Sequence, residues 1–175
     1  TSDGNLTSDE ATITIAITSR NDAPVAQDQS VSTPEDTSVD ISLTATDPDG
    51  DDLTYTITSD PEHGALTGEP PNLTYTPDTN YAGSDTFAFT ASDDELTSNE
   101  ASVTVEIGSV NDPPAADDQA VSTAEDTPIT ITLTATDPDG DDLTYNVVSQ
   151  PSHGTLTGET PTLIYTPETD YAGID

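Results

Sequence analysis

Apolar and polar residues alternate at period two along much of the chain. Strict alternation occurs at residues 39–43, 53–57, 87–89 and 103–107. Further strand candidates, bounded by Pro, Gly, Asp or Asn, lie at 25–33, 64–67 and 73–76. Alternation puts every second side chain on one face of a strand, so the pattern predicts about seven short, half-buried strands and an all-β antiparallel sandwich. The core is predicted to contain Ile41, Leu43, Tyr55, Ile57, Phe87, Phe89, Val103 and Val105.

The chain repeats itself with a period of 90 residues. Residues 43–55 recur unchanged at 133–145, and 44 of 65 positions are identical between 21–85 and 111–175. No gap is needed to align the two segments. Segments this similar share one fold, so the period defines the structural unit.

The same offset matches residues 1–20 with 91–110. It predicts one complete unit at 21–110 and, at 1–20, the C-terminal strand of a preceding unit. Residues 111–175 are predicted to form an incomplete unit that lacks its last strands. Because both ends fall inside a unit, we expect the chain to be a piece of a longer array of repeats.

Acidic residues dominate the charge of the chain. There are 35 Asp and Glu residues against Arg20 and no Lys, for a net charge of −34. This charge repels phosphate backbones and anionic membrane surfaces, and it argues against a nucleic-acid partner. No apolar run approaches 18 residues, so we expect no direct membrane insertion. An acidic chain with few aromatics is also typical of disorder, but a disordered segment would not show this alternation.

The densest acidic cluster falls in a predicted turn between two strands. Residues 46–52 read Thr-Asp-Pro-Asp-Gly-Asp-Asp and recur unchanged at 136–142. Such closely spaced carboxylates repel one another unless a cation neutralises them, and calcium prefers oxygen ligands of this kind. The alternative is a solvated acidic turn. The acidic cluster recurs unchanged, and an Asn-Asp pair lies at each unit boundary. These two features favour a calcium site over a solvated turn.

No arrangement typical of catalysis stands out. His63 and His153 occupy the same His-Gly position before a short strand, and the chain has no Cys. A structural role in the turn is the better interpretation of both histidines, since neither has a recognisable nucleophile or triad partner. We expect no enzymatic activity.

Four short motifs follow one another in a familiar order. They are Asn-Asp-x-Pro at 21–24, Pro-Glu-Asp at 34–36, Ala-Thr-Asp-Pro-Asp at 45–49 and Ala-Ser-Asp at 91–93. This order resembles cadherins and bacterial cadherin-like repeats. The segment 75–87 is similar to tandem repeats of giant bacterial surface proteins and adhesins, of the tandem-95 and VCBS types. The resemblance covers the whole chain and implies tandem Ig/cadherin-like seven-stranded sandwiches joined by short linkers.

The cadherin resemblance implies calcium at the junctions between units. At the first junction the implied ligands are Asn21, Asp22, Asp47, Asp49 and Asp93. At the second they are Glu35, Asn111, Asp112, Asp137 and Asp139. Glu125 would serve a third junction, and Asp78 and Glu168 match the cadherin Asp-Arg-Glu position loosely.

The linkers depart from the cadherin pattern. They carry Ser19 or Ser109 where cadherins usually have Asp, and Ala23 or Pro113 where cadherins have Asn. Fewer linker ligands imply one or two ions per junction, with dissociation constants of about 0.1 to 1 mM.

Three functions from different classes are compatible with these patterns. The first is a stalk of a secreted or cell-surface bacterial adhesin, in which calcium stiffens consecutive units. The second is a subunit of an extracellular filament or matrix whose copies exchange strands. The third is a module that binds carbohydrate, which the lack of Trp disfavours.

Overall fold

The computed structural model describes residues 1–2, 4–7, 9–18 and 20–175. Within these ranges it contains no helix with the length and apolar character needed to cross a membrane. Unit 21–110 is built from nine strands: β1 (Val25–Ala26), β2 (Gln29–Pro34), β3 (Val39–Ser42), β4 (Ala45–Thr46), β5 (Thr54–Ser59), β6 (Gly64–Glu69), β7 (Asn72–Pro77), β8 (Gly83–Ser92) and β9 (Ala101–Gly108).

The strands form two facing sheets. One has the order β2-β9-β8-β5 and the other the order β3-β7-β6, while β1 and β4 form a separate pair. All neighbours are antiparallel except β2 and β9, which run parallel with Val31 opposite Val105. The predicted all-β sandwich is confirmed.

The core lies between these sheets and is centred on β8 and β9. Tyr75, Phe89, Val103 and Val105 are completely buried and Phe87 nearly so. Every second residue of β8 and β9 points inward, as the alternation predicted. Six of the eight predicted core residues are buried: Ile41, Leu43, Phe87, Phe89, Val103 and Val105.

Tyr55 and Ile57 differ from that prediction because they are half-buried. They lie on β5, which is an edge strand and pairs on one side with β8. An edge strand has a neighbour on one side in its sheet, so its side chains remain partly open to solvent.

The segment 25–33, predicted as one strand, is two. Val25 pairs with Thr46, whereas Gln29 pairs with Val103. The chain therefore leaves one pairing partner and joins another between β1 and β2. This change of partner and the two-residue strand β4 raise the number of strands from seven to nine.

Unit 111–175 forms the counterpart of one sheet. Its strands are β10 (Ala115–Ala116), β11 (Ile129–Thr132), β12 (Ala135–Thr136), β13 (Gly154–Glu159) and β14 (Thr162–Pro167). They form a β11-β14-β13 sheet and a β10-β12 pair. The residues that correspond to β2 and β5 are not in strands, and Val121 and Val148 are 54% and 91% exposed. Those strands pair with β9 and β8 in the complete unit. The segment 111–175 contains counterparts of the first three residues of β8 and of no residue of β9.

Residues 1–20 reproduce part of the β8–β9 connection. A bridge joins Ser2 to Thr7, as another joins Ser92 to Thr97. Residues 11–18 match β9 in pattern but are not in a strand. Ser19, part of the linker comparison, lies outside the described residues. The three unit boundaries stay a prediction.

Shortening Phe89 should destabilise unit 21–110. Phe89 is fully buried and its ring centroid lies 6.1 Å from that of Tyr55. We expect Phe89→Ala to lower the free energy of unfolding by about 3–5 kcal/mol, measured by urea denaturation. Thr56→Ala, at an exposed position of β5, is the control and should change it by less than about 0.5 kcal/mol. Equal effects of the two changes would contradict the sandwich core.

Candidate metal centre

The acidic loop between β4 and β5 is shaped by one of its own carboxylates. Asp47 Oδ1 accepts hydrogen bonds from the backbone N–H groups of Asp49, Gly50 and Asp51, at 2.8, 2.9 and 3.2 Å. Gly50 has a φ of 83°, which glycine adopts without strain. Asp47 Oδ2 is buried and has no hydrogen-bond partner. The loop thus shields Asp47 Oδ2 from solvent without giving it a hydrogen-bond donor.

The second acidic loop has the same construction. Asp137 Oδ1 accepts hydrogen bonds from Asp139 N and Asp141 N at 3.0 and 3.2 Å. The recurrence follows from the identity of 46–52 and 136–142. Identical local sequences with the same capping carboxylate form the same turn.

Each acidic loop is tied to the linker that precedes its unit. Asp49 Oδ2 accepts a hydrogen bond from Asp22 N at 2.8 Å, and Asp139 Oδ2 accepts one from Asp112 N at 2.7 Å. Asn21 Nδ2 also donates to Asp93 Oδ2 at 3.0 Å. The structure therefore gathers the five residues implied for the first junction at one end of unit 21–110.

Asp93 is held as a carboxylate by its own turn. Its Oδ1 accepts hydrogen bonds from Leu96 N at 2.6 Å and Glu95 N at 2.9 Å. These backbone donors, above all Leu96 N, and the amide of Asn21 outweigh desolvation and lower the pKa of Asp93.

The second junction brings together carboxylates from both units and from the linker. Glu35 is buried and its Oε1 accepts a hydrogen bond from Val110 N. Desolvation, followed by the charges of Asp139, Asp36, Glu35 and Asp137, raises the pKa of Asp112. Asp112 Oδ2 is also buried without a hydrogen-bond partner. Negative charge is therefore concentrated around Asp112.

Asp51 and Asp36 belong to these clusters although they were not among the predicted ligands. Desolvation and the charges of Asp47, Asp49 and Asp93 raise the pKa of Asp51. Asp36 is one of the charges that act on Asp112. Asp51 could have been included from the sequence, because it lies in the same seven-residue acidic run.

Four of the predicted ligands make few contacts with the junction clusters. Asp78 begins the turn after β7, where its N–H donates to His63 O at 2.9 Å. Asn111 Nδ2 donates to Asp112 O at 3.3 Å. Glu125 is exposed in unit 111–175, and Glu168 Oε2 lies 3.5 Å from His153 Nδ1. The described contacts of these four residues do not join them into one site.

The donor chemistry of both junctions fits calcium. All candidate ligands are carboxylate or amide oxygens, and each junction holds one buried carboxylate oxygen without a partner. Among the described residues, however, no group of three His, Cys, Asp or Glu side chains converges in a metal-ligating arrangement. Several carboxylates instead accept hydrogen bonds from backbone N–H groups.

A second carboxylate, Asp85, is buried in the complete unit besides Glu35, and its structural role was not predicted. It accepts hydrogen bonds from Tyr75 Oη at 2.8 Å, His63 N at 2.9 Å and Glu62 N at 3.0 Å. Desolvation opposes its ionisation, but these bonds and one from Thr86 N outweigh it and lower the pKa of Asp85. The network joins β8 to the β6–β7 hairpin.

The same network recurs at Asp175, with Ser152, His153 and Tyr165 as donors. Each histidine also stacks on a tyrosine. The ring centroids of His63 and Tyr81 are 4.1 Å apart, and those of His153 and Tyr171 are 4.2 Å apart. These contacts agree with the interpretation of both histidines as structural.

A family model described as a bacterial Ig domain matches residues 21–106 and again 111–175. The chain belongs to the bacterial Ig domain family. The two matches confirm the tandem repeat, and their starts at 21 and 111 coincide with the Asn-Asp linkers. No curated protein sequence matches the chain.

Solved cadherin structures have a fold similar to these bacterial Ig domains. Extracellular cadherin domains 1–5 of protocadherin gamma B2 match with a TM-score of 0.52 at 23% identity, covering 87% of this chain and 34% of that one. Domains 3–6 match with a TM-score of 0.50 at 21% identity, covering 83% and 39%. The chain thus spans less than half of those chains. At such identity the likeness concerns the fold alone, and it confirms the cadherin-like resemblance.

The Asp85 network should make stability depend on pH in the acidic range. Because the folded state lowers the pKa of Asp85, its stabilisation is present above the unfolded pKa near 4 and is lost as the pH falls through the folded value. We expect Asp85→Asn to cost about 1–3 kcal/mol at pH 7, measured by urea denaturation. The difference from the parent should shrink as the pH falls below about 4, the ordinary pKa of an Asp side chain. Asp60→Asn, at an exposed site, is the control; a pH-independent cost at Asp85 would refute the assignment.

Proposed function

We propose that this chain is an extension segment of an extracellular bacterial surface protein, in which calcium at the junctions stiffens consecutive Ig domains. The observation that carries the proposal is the environment of Asp112. This linker residue lies among charges from unit 21–110, Glu35 and Asp36, and from unit 111–175, Asp137 and Asp139. A metal site whose ligands come from both units and from the linker forms only when the two units hold a particular relative orientation.

Repulsion works against this arrangement when no cation is bound. Carboxylates gathered from separate units repel one another, and this repulsion adds to the larger effect of desolvation in raising the pKa of Asp112. A divalent cation converts the repulsion into attraction and satisfies the buried Asp112 Oδ2. The ion then gains its full set of ligands in one orientation of the two units, which stiffens the joint.

The residues that would hold calcium differ in what each contributes. Asp47 and Asp112 offer the buried, unpartnered oxygens of the first and second junctions. Asp49 and Asp139 connect the acidic loop to the linker through backbone N–H groups. Glu35 accepts a hydrogen bond from Val110 N, at the last residue of unit 21–110 before the linker.

Repetition itself supports a mechanical role. Each unit contacts its neighbours along the chain, so adding units adds length without a new fold. The family is a bacterial one, and extracellular calcium at millimolar concentration suits sites of weak affinity. The lack of enzymatic activity stays a prediction.

Calcium should raise the thermal midpoint of the chain. With a dissociation constant near 0.5 mM, 5 mM calcium stabilises each site by about 1.4 kcal/mol. This corresponds to a rise of about 5–10 °C for a unit of this size, measured by calorimetry. Magnesium at equal concentration is the control for charge screening, since it keeps its water shell. A rise that magnesium reproduces in full would contradict calcium sites.

Removing two carboxylates at the second junction should restore flexibility while both units stay folded. We expect Asp137→Asn with Asp139→Asn to shorten the maximum dimension and broaden the distance distribution in small-angle scattering with calcium present. The matched control, Asp117→Asn with Asp118→Asn, removes the same charge from exposed positions outside the acidic loop. If the junction variant stays as extended as the parent, stiffness comes from Pro113 and Pro114 instead.

A further inference from the structure

We propose that unit 21–110 bears tension along the chain through a clamp between β2 and β9, and that Asp28 and Glu35 lock the two ends of this clamp. The load-bearing function rests on the extension role proposed above, since a chain that spans a distance carries the force between its two attachments. It does not rest on calcium.

The relative direction of β2 and β9 decides how tension acts on the unit. The two strands run parallel over six residue pairs, from Gln29 opposite Val103 to Pro34 opposite Gly108. Tension pulls on the N-terminal end of β2 and on the C-terminal end of β9. In a parallel pair these two ends lie at opposite ends of the ladder, so the strands are pulled past each other along their length. All hydrogen bonds of the ladder then share the load.

The short strand in front of the clamp is held less firmly. The preceding linker leads into β1, which has two residues and pairs with β4. Asn99 also binds Ala26, with hydrogen bonds of 3.2 Å to its N–H group and 3.1 Å to its carbonyl. Because this contact is short, we expect β1 to detach first and to leave the load on β2 and β9.

Every second N–H group of β9 faces β2. In a parallel pair, a residue donates to one neighbour of the residue opposite and accepts from the other. The register therefore places the N–H groups of residues 104, 106 and 108 against carbonyl groups of β2. The next N–H groups in this series belong to Ser102 and Val110, one beyond each end of the paired stretch.

Carboxylates accept both of these N–H groups. Asp28 Oδ1 accepts a hydrogen bond from Ser102 N at 2.8 Å, and Glu35 Oε1 accepts one from Val110 N. Hydrogen bonds to an ionised acceptor are stronger than those between neutral groups. The ladder is thus closed by a charged acceptor at each end, where its opening would begin.

Glu35 is the better protected of the two locks. It is 4% exposed, and its own N–H group donates to Gly108 O at 2.8 Å. Asp28 is exposed, so water competes for its carboxylate. A hydrogen bond shielded from water contributes more than an exposed one, so we expect Glu35 to resist force more strongly than Asp28.

The first test pulls the whole chain in two directions with optical tweezers. The sequence has no Cys, so two introduced cysteines at exposed positions define where force is applied. Ala23→Cys with Pro114→Cys loads the clamp lengthwise. Gln27→Cys with Glu100→Cys pulls neighbouring ends of β2 and β9 apart, so that their hydrogen bonds break one at a time. We expect a several times higher unfolding force lengthwise, with calcium and with EGTA. Equal forces in the two directions overturn the clamp.

The second test changes Glu35 in EGTA. In lengthwise pulling, Glu35→Ala should raise the unfolding rate at a given force about 10- to 100-fold, because Val110 N loses its buried, charged acceptor. Pulling between Gln27 and Glu100 begins at the opposite end of the ladder, so the same change should have little effect there. Glu35→Gln keeps an acceptor oxygen and should retain most of the parent's resistance. An unchanged rate in Glu35→Ala, an equal change in both directions, or a Glu35→Gln chain that behaves like Glu35→Ala overturns the lock.

Asp28 separates the clamp from the proposed calcium sites, because it is not among their ligands. Asp28→Ala should raise the lengthwise unfolding rate about two- to tenfold, equally in calcium and in EGTA. Asp60→Ala, at another exposed position, is the matched control and should leave the rate unchanged. Equal rates for these two variants overturn the role of Asp28. Failure of the calcium sites would appear instead as a thermal midpoint that calcium does not raise, with the unfolding forces in EGTA unaffected.

Discussion

The packing of the inward side chains of β8 and β9 against the β3-β7-β6 sheet is the interaction on which the complete unit depends. Phe87 and Phe89 fill the centre of the core, and β9 joins β8 to β2. Both outer strands of the β2-β9-β8-β5 sheet depend on β8 and β9, since β2 pairs with β9 and β5 pairs with β8. In residues 111–175, which closely repeat 21–85, the segments that match β2 and β5 are not in strands and Val148 is exposed. The same local sequence is thus compatible with both states, as expected when strand formation depends on a partner that completes the ladder and buries the apolar face.

Negative charge is the second constraint, because 35 acidic residues face Arg20 as the single basic residue other than histidine. Ion pairs cannot balance this composition, so many carboxylates accept backbone and side-chain hydrogen bonds instead. Asp47 caps its own loop and Asp85 joins β8 to the β6–β7 hairpin. At Asp47 and Asp112 this compensation is incomplete, since one buried oxygen of each carboxylate lacks a partner. These two oxygens lie at the junctions for which calcium is proposed.

The sequence indicated which acidic residues lie near one another at the junctions, whereas their role as ligands stays a prediction. The acidic loops were visible as dense local runs, and the cadherin-like order of motifs indicated that Asn21 and Asp93 meet although 72 positions separate them. Asp36 and Asp85 were missed. The residues next to Asp85 in the sequence do not indicate that it is buried, because its environment is set by residues of other strands such as Tyr75. Asp78 was included on a loose motif match, and the structure places it in a turn beside His63.

The sequence by itself determined the all-β class, the 90-residue unit, the inward face of the central strands and the recurrence of the acidic loops. Each of these is encoded locally or by direct repetition, because side chains alternate in a strand and identical loops cap themselves in the same way. Only the tertiary structure decided that 25–33 divides between two partners and that β2 pairs in parallel with β9. It also decided which carboxylates gather around Asp112. Those outcomes depend on contacts between residues far apart in the chain, and a local pattern does not specify which distant segment becomes the neighbour.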